Sequence, residues 1–385
     1  MPRHRLDKNV FSLGLVSLFT DISSEMIYPL LPIFLSSVLG VSTSFIGLLE
    51  GIAESSASIL KAVSGWFSDK LRKRKPIILL GYGLSTISKP FLYLATAGWH
   101  VLIVRFMDRV GKGIRTSPRD ALVADSSLAE NRGLAFGVQR AMDNLGAFLG
   151  PLLAFLILPL LNNNLRLVFL IAFIPALIAI VAIIFFVKEK SQTQSRAQQI
   201  KLTSFKIFNR DFKMFVFILG VFTLGNSSDA FLILRAKDLG MHLVFIPVLW
   251  LVLNFVSSIS SVPSGSLSDK IGRKKMILLA FFVYGIVYLG FAFSKTQSLI
   301  WGFMALYGLY YGLSEAALRA YVADLVPDKE ILATAYGIYH TVVGLCVFPA
   351  SLIMGILWQR FSPTIAFSFG ASLALVAAVL LGLLL

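Results

Sequence analysis

The chain has 385 residues, of which 57% are hydrophobic and 14% charged, with a mean hydropathy of +0.80 and a formal net charge of +15. So apolar a chain cannot hide its surface in water, and its long unbroken apolar runs exclude a β-barrel, whose strands alternate in polarity. The net charge would suit nucleic acid, but the cations sit in short loops beside apolar runs, where they act as topological markers; nucleic acid is excluded as a partner, and the lipid bilayer is the expected surrounding.

At about 20 residues per span there is room for roughly 12 helices. In chain order the runs bounded by Gly, Pro, Asn and charge predict helices near residues 10–35, 43–68, 77–96, 99–118, 132–158 and 164–187. A second set follows near 213–234, 241–266, 276–294, 298–323, 332–357 and 362–385. This predicts an all-α membrane fold of two pseudo-symmetric six-helix bundles, residues 1–187 and 213–385, joined by a basic linker over 188–212 that carries Lys188, Lys190, Arg196, Lys201, Lys206 and Arg210.

The halves repeat. Gly65-Trp-Phe-Ser-Asp69-Lys70-Leu-Arg72-Lys73-Arg74-Lys75 returns as Gly265-Ser-Leu-Ser-Asp269-Lys270-Ile-Gly272-Arg273-Lys274-Lys275, and two such loops at matching places mean duplication. Ser23-Ser24-Glu25 has its counterpart in Ser227-Ser228-Asp229, and Ala121-Leu-Val-Ala-Asp125 in Ala320-Tyr-Val-Ala-Asp324. Placing the amino terminus inside puts the linker, both basic loops, Arg132 and Lys329 on one side, while the stretches 36–44 and 97–98 carry no cation. The positive-inside rule then expects both termini in the cytoplasm. The basic start leads into a run longer than a signal-peptide core, so no cleaved leader is expected.

The pattern Gly-x-x-x-Asp-(Arg/Lys)-x-Gly-(Arg/Lys)-(Arg/Lys) resembles the signature loop after the second helix of each half in the major facilitator superfamily. The second copy matches throughout; the first has Arg72 where the family usually has Gly. The resemblance implies parallel halves, alternating access, and a cavity lined by helices 1, 4, 7 and 10. It also implies gating roles for Gly65, Asp69, Arg74, Gly265, Asp269 and Arg273, with each Asp latching to a helix amino terminus, where the partial positive charge favours a carboxylate. Gly146-Ala-Phe-Leu-Gly150-Pro151 resembles the motif of family exporters, where it permits close packing and a bend, and joins the gating set. Arg105, with Asp108, Gly111 and Gly113 after it, resembles the helix-4 arginine pattern of proton-coupled members.

Intramembrane charges are costly enough to be functional hypotheses by default. Asp21, Glu25 and Tyr28 stack on one face of the first helix. Glu25 and Asp229 are the foremost proton-coupling candidates, with Asp21, Arg105, Asp108 and Asp143 beside them. Tyr28, Arg109, Lys112, Asn226, Tyr310, Tyr311, Glu315 and Arg319 are the candidate substrate-binding residues. A static network of Arg105, Asp108, Arg140 and Asp143 is the rival to a proton relay, because buried charges commonly satisfy one another. Helix–helix hydrogen bonding and Na+ coordination are the rivals at the Ser-Ser-acid clusters.

The single cysteine, Cys346, lies in an apolar run as a small core residue and excludes a disulfide framework. His4, His100, His242 and His340 are scattered, so no metal is expected. No phosphate-binding loop occurs, so ATP-driven transport is disfavoured and no cofactor is expected. The reading is a monomeric secondary transporter of the cell inner membrane, not an enzyme, exporting a small amphipathic or organic-ionic compound in exchange for protons. Uptake of an organic anion is the alternative within that class. A transporter-fold sensor or lipid flippase is the alternative outside it.

Overall fold

The structure, a computed structural model, describes residues 7–71, 73–127, 131–189, 208–326 and 329–385. Arg72, the side chain of Asp69, and residues 190–207 of the expected linker, with Lys190, Arg196, Lys201 and Lys206, lie outside the described residues.

Among the described residues there are helices and no strands. The first six segments are α1 (Lys8–Val38), α2 (Thr43–Leu71), α3 (Lys75–Ser88), α4 (Gly98–Asp125), α5 (Arg132–Leu160) and α6 (Leu165–Phe186). The second six are α7 (Arg210–Asp238), α8 (Phe245–Ile271), α9 (Arg273–Phe293), α10 (Gln297–Leu325), α11 (Lys329–Arg360) and α12 (Pro363–Leu384). Eight described segments are long and apolar enough to cross a membrane; α2, α3, α4 and α10 fall outside that set by length or polarity. In α2 and α4 the reason is their own charges: Glu50, Glu54 and Lys61 in one, and Arg105, Asp108, Arg109, Lys112 and Arg115 in the other.

Local chemistry sets the ends. The Asp7 carboxylate accepts from the Asn9 amide at 2.8 Å to start α1, and the Asn209 side chain accepts from the Phe212 amide at 2.8 Å to start α7, each supplying an acceptor for an otherwise open helix donor. Gly272, at φ +94°, ends α8 and opens α9 in a conformation that favours glycine. Pro90 lacks an amide, and α3 accordingly tightens into a 3-10 turn over Lys89–Leu92 where the sequence predicts an unbroken helix to residue 96.

The predicted seventh helix is also interrupted. α7 consists of Arg210–Gly225 and Ala230–Asp238, with residues 226–229 unwound between them. Its counterpart α1 stays helical through Ser23-Ser24-Glu25 and bends only at 28–30, around Pro29.

The contacts sort the chain into two units, Met1–Phe34 with Ser56–Gln198, and Leu35–Ser55 with Gln199–Leu385. In the first, α1 packs between α5 and α6, and α3 between α4 and α6. In the second, α7 packs between α11 and α12, and α9 between α10 and α12. The neighbours match helix for helix, so the repeat read in the loops extends to the packing. Asn9 Nδ2 donates to Ser126 Oγ at 2.9 Å, and Asn209 Nδ2 donates to the Leu325 carbonyl at 3.1 Å, each tying the start of a unit's first helix to the end of its fourth.

Candidate functional site

In the first unit the acidic face of α1 meets the glycines of α5. A Cβ added at Gly146 would lie 2.7 Å from the Asp21 Cβ, and one at Gly150 would lie 2.6 Å from the Glu25 Cβ. Both glycines, with the buried Pro151 after them, therefore hold α5 against the carboxylate positions of α1.

α4 carries the cations. Arg105, 7% exposed, lies 3.8 Å from Asp108, and its guanidinium stands 4.9 Å from the centre of the Tyr28 ring. Arg109, also buried, approaches the same ring at 5.9 Å. Asp108 accepts from the Ser85 hydroxyl of α3. Asp143 is held elsewhere: Gln139 Nε2 donates to it at 3.1 Å, and Arg119 lies 3.9 Å away while also donating to Ser17 at 2.8 Å. The structure thus gives Asp108 and Asp143 different partners. Lys112 is exposed on α4.

Lys89 was not among the residues singled out from the sequence. It is 3% exposed, and its ammonium donates to Ser23 Oγ at 2.6 Å and Ser24 Oγ at 3.2 Å. A lysine inside the third apolar run is a signal as legible as Arg105, although helix 3 is not among the helices that the family resemblance puts around the cavity.

In the second unit the break in α7 supplies the site. The Asp229 carboxylate accepts hydroxyls from Tyr307 at 2.7 Å and Tyr311 at 2.9 Å, both on α10. Ser227 pairs with the Tyr288 hydroxyl at 3.2 Å, and the Ser228 amide donates to Ser351 Oγ on α11 at 3.1 Å. Asn226 ends the first half-helix, and Tyr310 is buried among Tyr284, Phe222 and Tyr311. Glu315 and Arg319 pair with each other at 3.0 Å at a half-exposed position on α10. They are not brought to Asp229 by any of its hydrogen bonds.

Residues 43–55 of α2 belong to this unit and run against α11. Ser55 Oγ donates to the Gly344 carbonyl at 2.6 Å, and Gly47 and Gly51 give the close approach, with an added Cβ at Gly51 falling 2.9 Å from the Phe348 carbonyl. This packing buries Glu50 to 1% exposure, with Ser228 Oγ 3.5 Å from its carboxylate. Glu50 is the second residue the sequence reading passed over, since nothing in the second apolar run foretells which of its faces is covered.

The loop motif residues are tied within their own units. Arg74 pairs with Asp125 at 2.6 Å and Arg273 with Asp324 at 3.1 Å, the same bond in both repeats. Arg273 also lies 3.1 Å from Asp269, whose carboxylate is 70% exposed. Glu189 accepts from the amides of Arg74 at 2.9 Å and Lys75 at 2.9 Å, closing the start of α3. An added Cβ at Gly65 would meet Ser117 at 3.3 Å, whereas Gly265 faces open space.

The model of the Major Facilitator Superfamily matches residues 13–348 and 232–385. The chain belongs to that superfamily. It is 41% identical over 382 residues to an uncharacterized MFS-type transporter of Methanocaldococcus jannaschii, covering 98% of this chain and 94% of the relative. It is 25% identical over 323 residues to the multi-drug resistance efflux pump PmrA of Streptococcus pneumoniae, covering 81% and 80% of the two chains. A solved structure of a mutant of the nucleoside transporter NupG superposes with a TM-score of 0.80 at 14% identity, over 97% of this chain and 98% of that one, a likeness of fold alone. As a superfamily member the chain is a multi-pass membrane protein of the transporter type.

Proposed function

We propose that this transporter is an exporter coupled to protons, moving a small amphipathic or organic-ionic compound by alternating access. In this reading it works as a monomer in the cell inner membrane, with the halves 1–187 and 213–385, the 188–212 linker and both termini cytoplasmic.

One observation carries the coupling: Asp229 sits where α7 is unwound and accepts from two tyrosines of a different helix. An ionised carboxylate accepts both hydroxyls strongly, whereas a protonated one gains an O–H donor and is a weaker acceptor, so protonation loosens the tyrosine bonds or reverses one of them. Loading a proton at Asp229 then changes how α7 is tied to α10. Unwound backbone at membrane depth is the kind of place where transporters hold substrate and coupling ions. Glu25, in the matching place on α1, is the partner candidate. Export is supported by the Gly146-x-x-x-Gly150-Pro151 step and by the similarity to an efflux pump.

The test uses purified protein in proteoliposomes, with a substrate found by thermal-shift screening of drugs, siderophores, sugars and organic acids, since a ligand that binds the folded state raises apparent stability. Accumulation should follow an imposed pH gradient and vanish in Asp229→Asn, while exchange of bound substrate persists. Accumulation driven by Na+ instead, or an unaltered pH response in the variant, rejects the assignment.

A further inference from the structure

We propose that Glu50 is a positioning residue of the Asp229 site: it holds the break in α7 through Ser228, and its charge, with that of Glu54 one turn on, governs proton release from Asp229. The inference deepens the coupling reading and rests on it for its functional consequence.

Glu50 is 1% exposed on a helix of a membrane protein, and an ionisable group so placed is a functional hypothesis by default. The packing that covers it leaves it little freedom. An added Cβ at Gly47 would strike the Ser351 carbonyl of α11, and one at Gly51 would lie 3.1 Å from the Phe348 Cα, so α2 meets α11 backbone to backbone both before and after Glu50.

What Glu50 reaches is the break itself. Ser228 Oγ donates to its carboxylate at 3.5 Å and accepts at 3.3 Å from the amide of Ala230, the residue that opens the second half of α7. The Ser228 amide donates in turn to Ser351 Oγ at 3.1 Å, on the same helix that Gly47 touches. A hydroxyl has one proton, and a carboxylate can only accept it, so Glu50 fixes where the Ser228 proton points. The serine lone pairs are left for the Ala230 amide, one of the donors that a helix start leaves open. One hydroxyl thus ties α2 to the start of the half-helix, one residue from Asp229.

Around Asp229 the groups are hydroxyls and like charges. Tyr307 and Tyr311 of α10 donate to it, while Tyr310 of α10 and Tyr284 and Tyr288 of α9 stand within electrostatic reach. α11 contributes the Ser351 hydroxyl to the break, and α12 contains no titratable residue. The charged groups acting most strongly on Asp229 are Glu54 and then Glu50, both on α2 and both negative. Neighbouring charge alters the balance between a carboxylate with and without its proton, so α2 has a direct hold on the coupling step.

The full-length protein in phosphatidylcholine nanodiscs gives two readouts that need no substrate. Infrared difference spectra across a pH titration follow the carboxyl stretch of protonated acids, and the band lost in Asp229→Asn belongs to Asp229. Glu50→Gln keeps an acceptor for Ser228 but removes a negative neighbour, so Asp229 should ionise more readily. The midpoint of its band should fall by about one pH unit, the size expected for one charge at a separation on the order of 10 Å. Glu54→Gln should lower it at least as far. Hydrogen exchange of the peptide containing Ala230 reads the positioning. Glu50→Ala should speed that exchange about tenfold, and Glu50→Gln should restore the parental rate. Ser228→Ala, which keeps both glutamates, should speed it as Glu50→Ala does.

An Asp229 band that titrates unmoved in Glu50→Gln, or parental exchange in folded Ser228→Ala, overturns the proposal and leaves Asp229 as the proton carrier. If Asp229→Asn removes no titrating band, the proton reading itself is rejected, and the charge role of Glu50 falls with it.

Discussion

Replacing Gly150 with alanine isolates what the α1–α5 contact is worth. The added Cβ would stand 2.6 Å from the Glu25 Cβ and 2.8 Å from the Ile22 carbonyl oxygen, while carbon atoms in ordinary contact sit roughly 3.5–4.0 Å apart. The helices must separate by about 1 Å, and the obstacle is backbone and a Cβ, which cannot swing aside. Overpacking of this kind costs roughly 1–3 kcal/mol. Alanine also gains up to about 1 kcal/mol of helix propensity over glycine, which would mask part of the loss. Gly265→Ala provides the correction, because its Cβ meets nothing within 4 Å and the same propensity gain applies. The difference between the two variants is the clash alone. At roughly 2–4 °C per kcal/mol, Gly150→Ala should unfold some 2–12 °C below Gly265→Ala. Heating the detergent-solubilised protein and measuring the surviving monodisperse fraction reads this directly. Equal unfolding temperatures would refute the argument that the exporter-like glycines work by close approach to the acidic face of α1.

Arg74→Ala should destabilise more than Arg273→Ala, because Arg74 is mostly buried against Asp125 whereas the second pair is more exposed and should be worth about 0–1 kcal/mol; the same thermal assay compares them. Tyr288→Phe should cost roughly 0.5–1.5 kcal/mol by leaving Ser227 without its phenol, and an unchanged unfolding temperature would show the bond to be immaterial. For topology, in a Cys346→Ser background an impermeant maleimide added to intact cells should modify Ser42→Cys and spare Lys70→Cys; the opposite pattern would invert the orientation.

The helical repeat was legible because a bilayer demands long apolar runs and because the loop signatures carry glycines and charges at fixed spacing. The packing of α3 between α4 and α6, repeated in α9 between α10 and α12, follows from that duplication. What stayed hidden was context. Ser227-Ser228-Asp229 reads like Ser23-Ser24-Glu25, yet only the former lies in an unwound stretch, where the Ser228 amide donates to Ser351 of α11, a partner that no local pattern announces. Lys89 and Glu50 were visible as charges in apolar runs, but their burial depends on which neighbours cover them. Glu315 and Arg319, four residues apart on α10, form an ion pair at a half-exposed position, a pairing that their i, i+4 spacing already allows.

Lys89 stands fifteen positions after Arg74, and Tyr288 fifteen after Arg273, so the two occupy the same socket in the two copies. Each reaches a serine of its neighbouring first helix, Ser23 in one case and Ser227 in the other. After the ancestral duplication, the socket could therefore change its electric charge by a whole unit while keeping its hydrogen bond. Two halves that share a scaffold in this way differ in local charge at a single position while the surrounding packing is kept.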